Sequence, residues 1–289
     1  FHANNLSLEN AKICLDLAYV DALLYQDQLE GILKTLSGAK KLSFVTLNKY
    51  THSKESKKEI SRNKIAIIYA TGEINSGEGD EKSIGSVSTS AAIKQAREDK
   101  QVKAIVLRIN SPGGSALASD VIWRETILAK AAKPLVVSMG DYAASGGYYI
   151  ACAADRIVAN PTTLTGSIGV FGVIPNMSKF YKNKLGISID TVNTSKYADM
   201  GINRPLSNFE KNRIQKGVTD MYTSFITKVG EGRSMSDTAV DSIGQGRIWS
   251  GYDAKQIGLI DTYGGLEKAI EIAANLAKIK EFRTISLPK

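Results

Sequence analysis

Residues 135–154 have the sequence LVVSMGDYAASGGYYIACAA, and this stretch decides the fold. A β-branched run behind Pro134 predicts a buried strand, and the chain is then expected to turn at Gly140 and Asp141. Ser145 follows between two alanines and two glycines, and an apolar helix-like run comes next. Small neighbours let another backbone approach the hydroxyl, and a helix start offers free N–H groups to a developing negative charge. The stretch fits a serine nucleophile, and equally a tight packing contact with an incidental serine.

Two further segments repeat this strand-to-turn pattern. The strand-like residues 103–110 (KAIVLRIN) run into the turn SPGG at 111–114, and a helical pattern follows. The strand-like residues 156–159 precede the turn TGSIG at 165–169. Strands alternating with helices predict an α/β fold with a largely parallel sheet. Since ligands of such folds lie beyond the carboxyl ends of the strands, we expect the three turns to converge on one site.

The motifs RINSPGGS, SMGDYAASGGYYIA and ANPTTLTGSIGVFG, in this order, resemble the signal peptide peptidase family, also called protease IV. The resemblance covers about residues 64–280 and implies a serine protease of the Clp-protease/crotonase fold. It implies that Ser145 is the nucleophile and that Gly113 and Gly146 supply the oxyanion hole. It also implies that Ser167 supports a lysine general base.

The serine needs a base, because a hydroxyl is a weak nucleophile at its free pKa. Both histidines, His2 and His52, precede the main domain, so a Ser-His-Asp triad inside it is not expected. A lysine whose pKa is lowered by burial can replace histidine. Lys196 is the local candidate, and the alternative is that it is a solvated loop lysine.

The family resemblance points elsewhere for the base. In short members the base lysine lies just before an aspartate, whereas Ala198 precedes Asp199 here and Lys196 lies two places early. In the long class, built as two tandem copies, the base comes from the first copy and the nucleophile from the second. The resemblance therefore implies that this chain is the C-terminal copy and that its base lies upstream.

The domain prediction follows from composition and from an internal repeat. Residues 64–289 form the predicted protease domain, and residues 37–63 form a basic polar linker. Residues 1–36 are interpreted as the helical tail of a preceding copy, because their order of features recurs near residues 254–270. The alternative is two ordinary amphipathic helices with chance matches. Within the protease domain we expect a long loop over 72–90, a helix from 91 to 99, a strand at 187–192 and a helix from 208 to 229.

Composition excludes several classes of function. The chain has a formal charge of +8, but residues 37–63 alone hold seven Lys or Arg against two Glu, a net of +5. Most of the excess lies in the linker and only +3 lies outside it, so nucleic-acid binding is not expected. Two histidines and two cysteines without ligand spacing predict no metal site and no cofactor. Cys152, in an apolar run, is expected to be a core residue.

The remaining expectations concern substrate and location. No transmembrane helix and no signal peptide are visible, and the chain begins at Phe1 rather than at methionine. The resemblance implies that signal peptides or other apolar peptides are the substrates and that the protein is a homo-oligomer. It also implies a bacterial membrane attachment through an upstream segment, with the catalytic domain on the extracytoplasmic side. Two alternatives are a crotonase-type acyl-CoA enzyme using the same oxyanion hole and a non-catalytic half that serves assembly.

Overall fold

The computed structural model describes residues 11–47, 61–80, 82–194 and 197–287, which belong to two compact units divided after Glu59. The first unit contains helix α1 (Ala11–Asp16) and helix α2 (Gln26–Ser37). Helix α2 ends at Gly38, whose φ of 65° is readily adopted by glycine. The predicted linker lies partly outside the described residues.

The second unit is built on a mostly parallel sheet. Its strands are β1 (Lys64–Thr71), β2 (Glu73–Asn75), β3 (Ser83–Gly85), β4 (Val102–Ser111), β5 (Leu135–Ala144), β6 (Arg156–Ala159), β7 (Leu164–Gly166), β8 (Ile248–Ser250), β9 (Thr262–Tyr263) and β10 (Arg283–Leu287). The main order is β10-β1-β4-β5-β6-β9, and each of these pairings is parallel. Strand β7 pairs in parallel with β5 and antiparallel with β8, while β2 and β3 form a separate pair. The predicted α/β fold with a largely parallel sheet is confirmed.

Helices cover both faces of this sheet. They are α3 (Ser86–Glu98), α4 (Ala116–Ala132), α5 (Gly146–Ala151), α6 (Ser178–Lys184), α7 (Asn208–Arg233), α8 (Asp237–Ile243), α9 (Gly251–Gln256) and α10 (Leu266–Leu276). One face packs alternate strand residues such as Ile68 and Leu107 with the buried faces of α3, α4, α5 and α7. The other packs Ile67 and Val106 against α10. Because both faces are buried, the central strands are continuous apolar runs.

Strand β5 differs from the predicted turn at Gly140 and Asp141. The strand continues to Ala144, directly before Ser145, and its register against β4 shifts after Ile109. The Asn110 side chain bridges this irregularity, because its Oδ1 accepts the N–H of Asp141 at 2.9 Å. A side-chain amide replaces the missing ladder bond, so the strand can continue to the carboxyl end of the sheet, where Ser145 follows.

Two other sequence predictions are wrong. Residues 72–90, expected to be a loop, contain β2, β3 and the start of α3, which begins at Ser86 rather than at 91. The predicted strand at 187–192 is absent from the described residues. Its alternating sequence has the period of a strand, but all six residues are exposed and no described strand pairs with them. The predicted helix at 208–229 is confirmed and extends to Arg233.

Two simpler expectations can also be compared with the structure. Cys152 is fully buried, as predicted for a core residue, and burial raises the pKa of its thiol to about 12. Across the described ranges, no helix combines the length and the apolar character needed to span a bilayer.

Candidate active site

Ser145 occupies a strained turn between β5 and α5. Its φ of 51° and ψ of −119° are rare for a residue with a side chain, and such a conformation costs about 1–3 kcal/mol. Two backbone bonds hold the turn: the N–H of Ser145 donates to the carbonyl oxygen of Gly166 at 2.9 Å, and the N–H of Tyr149 donates to that of Ser145 at 2.9 Å. The Ser145 hydroxyl makes no capping bond to α5. The turn therefore presents a hydroxyl that the helix does not use.

Gly113 lies so close to Ser145 that a residue with a side chain would not fit in its place. A Cβ on Gly113 would lie 2.7 Å from the nitrogen of Gly146 and 2.8 Å from the Cβ of Ser145. The φ of Gly113 is 106°, which also favours glycine. Gly146 is equally restricted, since a Cβ there would lie 2.5 Å from Oγ of Ser119 on α4. The small residues are therefore needed for contact between the SPGG turn and the serine turn.

The two predicted oxyanion donors differ in their hydrogen bonding. Gly146 begins α5, and a helix supplies no acceptor for the N–H groups of its first turn. The N–H of Gly113 instead donates to Oγ of Ser111 at 3.1 Å. Gly113 would have to exchange this bond for one to a substrate in order to stabilise an oxyanion. The structure thus brings both glycines beside Ser145, with one donor already engaged.

Ser167 lies in a second turn with positive φ. It follows β7, its φ is 48°, and its N–H donates to the carbonyl oxygen of Arg247 at 2.7 Å. The β5–β7 pairing places Gly166 opposite Ala144, one residue before each serine. The two serine-bearing turns are therefore neighbours at the same end of the sheet.

A cavity of about 930 Å³ joins the three turns. Gly113, Ser145 and Ser167 line it together, as expected from the convergence of strand ends in α/β folds. Its other walls include Val170 and Phe171, near the end of the third motif, and one face of α7. A side pocket of about 450 Å³ also opens at Ser145 and has mainly apolar walls, formed by Leu117, Tyr149, Val170, Phe171, Met221 and Phe225.

No lysine or histidine of the described residues lines either cavity. Lys196 lies outside the described residues. Ala198, which takes the place of the base in short members of the resembling family, lines a separate depression with Asp199 and Arg204. The described part of the chain therefore brings together the serine and its backbone donors, but not a base.

Lys228 is the partly buried lysine behind the side pocket, and it has the wrong charge for a base. Its ammonium group forms an ion pair with Asp120 and donates to the hydroxyl of Tyr149 at 2.8 Å. Burial lowers the pKa of Lys228, but the bonds to Asp120 and Tyr149 outweigh burial and leave the pKa above its ordinary value. The amine is therefore protonated near neutral pH.

A charge cluster fastens the beginning of α7. The Arg204 guanidinium contacts Asp199 at 2.8 Å and Glu210 at 2.6 Å, and Glu210 also closes a capping box with Ser207. The hydrogen bonds from Arg204 lower the pKa values of both carboxyl groups to about 2. This Arg204 cluster anchors the helix whose middle turns form a wall of the large cavity.

Comparison with known proteins decides the family. The model of peptidase family S49 matches residues 127–280, just over half of the chain. The chain belongs to peptidase family S49. The predicted resemblance to the signal peptide peptidase family is confirmed, and the match supports a peptidase rather than the crotonase-type alternative.

Several proteins are similar to this chain along most of its length. Protease 4 of Salmonella typhi is 42% identical over 277 residues, which are 95% of this chain and 44% of that protein. The chloroplastic serine protease SPPA of Arabidopsis thaliana is 40% identical and covers 91% of this chain and 40% of its own length. The putative signal peptide peptidase SppA of Enterococcus faecium is 33% identical, over 89% of this chain and 74% of that protein. The chain thus spans less than half the length of the first two relatives.

A solved structure supports the S49 fold. The 1510-N membrane-bound stomatin-specific protease, in a mutant form, superposes with a TM-score of 0.52 and 16% identity. The match covers 80% of this chain and all of that chain, and at this identity it bears on the fold alone. The expected Clp-protease/crotonase fold is confirmed by this likeness together with the family match.

Sequence reasoning about this S49 chain missed the α7 wall and Glu73. Gln215, Val218, Thr219 and Tyr222 line the large cavity although they follow the third motif by more than forty residues. Their spacing of three to four residues marks one helix face. Because this face is largely polar, its sequence resembles that of a solvent-exposed helix face. The sequence therefore does not indicate that it lines the site.

Proposed function

We propose that this chain is the nucleophile-bearing part of a serine endopeptidase that cuts released signal peptides and other apolar peptides. The observation that carries the proposal is the meeting of Ser145, Gly113 and Ser167 around the large cavity, with Gly146 beside Ser145 in the side pocket. The side pocket beside Ser145 has mainly apolar walls, which suits an apolar side chain next to the cleaved bond.

The proposed reaction is acyl transfer through Ser145. Its Oγ attacks the peptide carbonyl carbon and gives its proton to a neutral lysine amine. The N–H groups of Gly146 and Gly113 stabilise the resulting oxyanion, once Gly113 has released Ser111. The lysine ammonium returns the proton to the leaving amine, and an acyl-enzyme forms. The lysine then takes a proton from the water that attacks the ester and gives it to the departing Oγ, which restores Ser145 and the neutral amine.

The lysine is proposed to come from an upstream copy of the fold, held by the Ser167 hydroxyl. The helix lengths in the two units support the repeat. Helix α1 and helix α9 each have six residues, and α2 and α10 have twelve and eleven. Both connections, residues 17–25 and 257–265, contain nine residues. Residues 1–36 are accordingly proposed to be the end of that upstream copy.

The remaining parts of the proposal concern assembly and location. We infer that the whole protein is a homo-oligomer attached to the bacterial membrane through an upstream segment, with the site on the extracytoplasmic side. Exposed apolar side chains around the cavity support assembly. Phe171 is 88% exposed and Val173 is 80% exposed, and such a patch is typical of a protein or membrane contact.

Labelling by a fluorophosphonate tests the proposal. In the full-length protein the reagent should label Ser145, which mass spectrometry of the labelled peptide should identify. The label should be absent from Ser145→Ala. A crotonase-type enzyme needs no activated serine and would remain unlabelled. Labelling that persists at full level in Ser145→Ala would contradict the assignment.

A further inference from the structure

Three side chains from three helices meet behind the side pocket. The Tyr149 hydroxyl donates to Oδ1 of Asp120 at 2.8 Å and accepts a hydrogen bond from Nζ of Lys228 at 2.8 Å. Lys228 also forms an ion pair with Asp120. Each of the three side chains therefore bonds to the other two, and none of these three bonds involves a residue of the catalytic turns.

The three residues belong to the helices that wall the pocket. Asp120 lies on α4, which leaves the SPGG turn, and Tyr149 lies on α5, one turn after Ser145. Lys228 lies on α7, which brings Met221 and Phe225 to the pocket. A bond among these side chains therefore sets how far α7 lies from α4 and α5, and with that the width of the pocket.

The Tyr149 ring is itself part of the pocket wall. It is 6% exposed and packs against Phe225 with ring centroids 4.8 Å apart. Its other neighbour is Trp123, at 6.4 Å and nearly perpendicular, and the Lys228 ammonium lies 4.3 Å from the centre of the Trp123 ring. An aromatic ring held by its hydroxyl on one side and by two aromatic neighbours has little freedom to rotate.

We propose that Asp120, Tyr149 and Lys228 form a positioning triad that holds the wall of the side pocket and sets the size of the apolar residue that the pocket accepts. The inference rests on the proposed peptidase function, since it takes the pocket as the place of a peptide side chain. The described residues that line the side pocket include no carboxylate, so the pocket offers none to a basic side chain. Its ligand is an uncharged, apolar residue of a peptide.

Equilibrium binding to the full-length protein carrying Ser145→Ala tests the triad without turnover. N-acetylated tetrapeptide amides ending in Ala, Leu or Phe would be titrated by calorimetry. Tyr149→Phe keeps the ring and removes both hydrogen bonds. The double variant Asp120→Asn/Lys228→Met removes both charges together, which avoids leaving one buried charge unpaired. We expect the affinity for the Phe peptide relative to the Ala peptide to rise at least about fivefold in both, because a released wall admits a larger side chain.

The control is a second ion pair on α7. Lys216 and Asp220 lie 3.0 Å apart but are about two-thirds exposed, so Lys216→Met/Asp220→Asn should leave all affinity ratios unchanged. Melting temperatures check that each variant is folded. The proposal is overturned if the affinity ratio of the Phe peptide to the Ala peptide stays constant in both triad variants. It is also overturned if the affinities for all three peptides fall equally, or if the protein binds all three peptides with the same affinity. A third outcome separates the two proposals. If binding depends on the triad as expected but fluorophosphonate does not label Ser145 in the unmodified protein, the peptidase function is overturned and the triad's role in the pocket is supported.

Discussion

The backbone N–H of Ser145 donates to the carbonyl oxygen of Gly166 at 2.9 Å, which joins the turn of the proposed nucleophile to the turn of Ser167. Both serines have positive φ, at 51° and 48°. Two turns that are each unfavourable alone are thus held by a bond between them and by the pairing of β5 with β7. This arrangement places two hydroxyl-bearing residues at one cavity and stores backbone strain there.

The first prediction separates chemistry from strain at Ser145. Ser145→Ala and Ser145→Gly should both lower the kcat of the full-length enzyme by several orders of magnitude, because each removes the nucleophile. Glycine adopts the positive φ without strain, whereas alanine does not. The free energy of unfolding, measured by urea denaturation, should therefore be about 1 kcal/mol higher for Ser145→Gly than for Ser145→Ala. Activity within tenfold of the unmodified enzyme in either variant would refute the nucleophile.

The second prediction concerns Gly113. A Cβ in Gly113→Ala would displace the SPGG turn from Gly146, so we expect kcat to fall about 100-fold or more with a smaller loss of thermal stability. Gly172→Ala is the matched control, because no atom lies within 4 Å of the position of its added Cβ. Peptide hydrolysis and thermal melting would be measured in parallel. If kcat falls only in proportion to the folded fraction, Gly113 is a structural residue.

The third prediction concerns the base. If the lysine lies upstream, this chain alone should hydrolyse peptides poorly, and adding the upstream part, in cis or as a separate chain, should restore activity. The activity should rise toward alkaline pH, because only the neutral amine accepts the proton of Ser145. Lys196→Ala in the restored enzyme should change kcat by less than about tenfold. Cleavage by this chain alone, lost in Lys196→Ala, would place the base in the chain itself.

The fourth prediction follows from the Arg204 cluster. The pKa values of Asp199 and Glu210 are lowered to about 2 in the folded protein, against about 4 in an unfolded chain. Carboxyl groups with lowered pKa values stabilise the fold fully above pH 4, and this contribution is lost as the pH falls through 2. The protection factors of the amides in the first turn of α7, which correct for the pH dependence of intrinsic exchange, should therefore fall between pH 4 and pH 2.

Arg204→Met provides the comparison for that experiment. Without the guanidinium, the first turn of α7 should exchange faster at pH 5 and should lose most of its additional response to acid. The exposed pair Lys216 and Asp220 on the same helix serves as a control, since its removal should leave the first turn unchanged. Equal acid sensitivity with and without Arg204 would show that the cluster does not anchor the helix.

The amino-acid sequence alone determined the parallel sheet, the three strand-to-turn units and the membership of a peptidase family. These features can be read from short stretches of sequence. A continuous apolar run predicts a strand that is buried on both faces, and a glycine indicates a positive φ or a position where another segment of backbone packs closely. The site residues Gly113, Ser145, Gly146 and Ser167 follow from the same turns, and their chemical roles stay predictions. The error at residues 187–192 has the same origin, because alternation predicts a strand only where a partner strand is present.

Tertiary structure alone decided which distant side chains meet. Lys228 is 79 residues from Tyr149 and 108 from Asp120, and no spacing rule connects residues so far apart. Their contact exists because α7 packs across α4 and α5, which also brings one face of α7 to the cavity. The support of β5 by Asn110, which joins residues 31 positions apart, is likewise an outcome of packing. Local sequence selects backbone conformations, and the buried surface shared by separate helices selects the contacts between side chains.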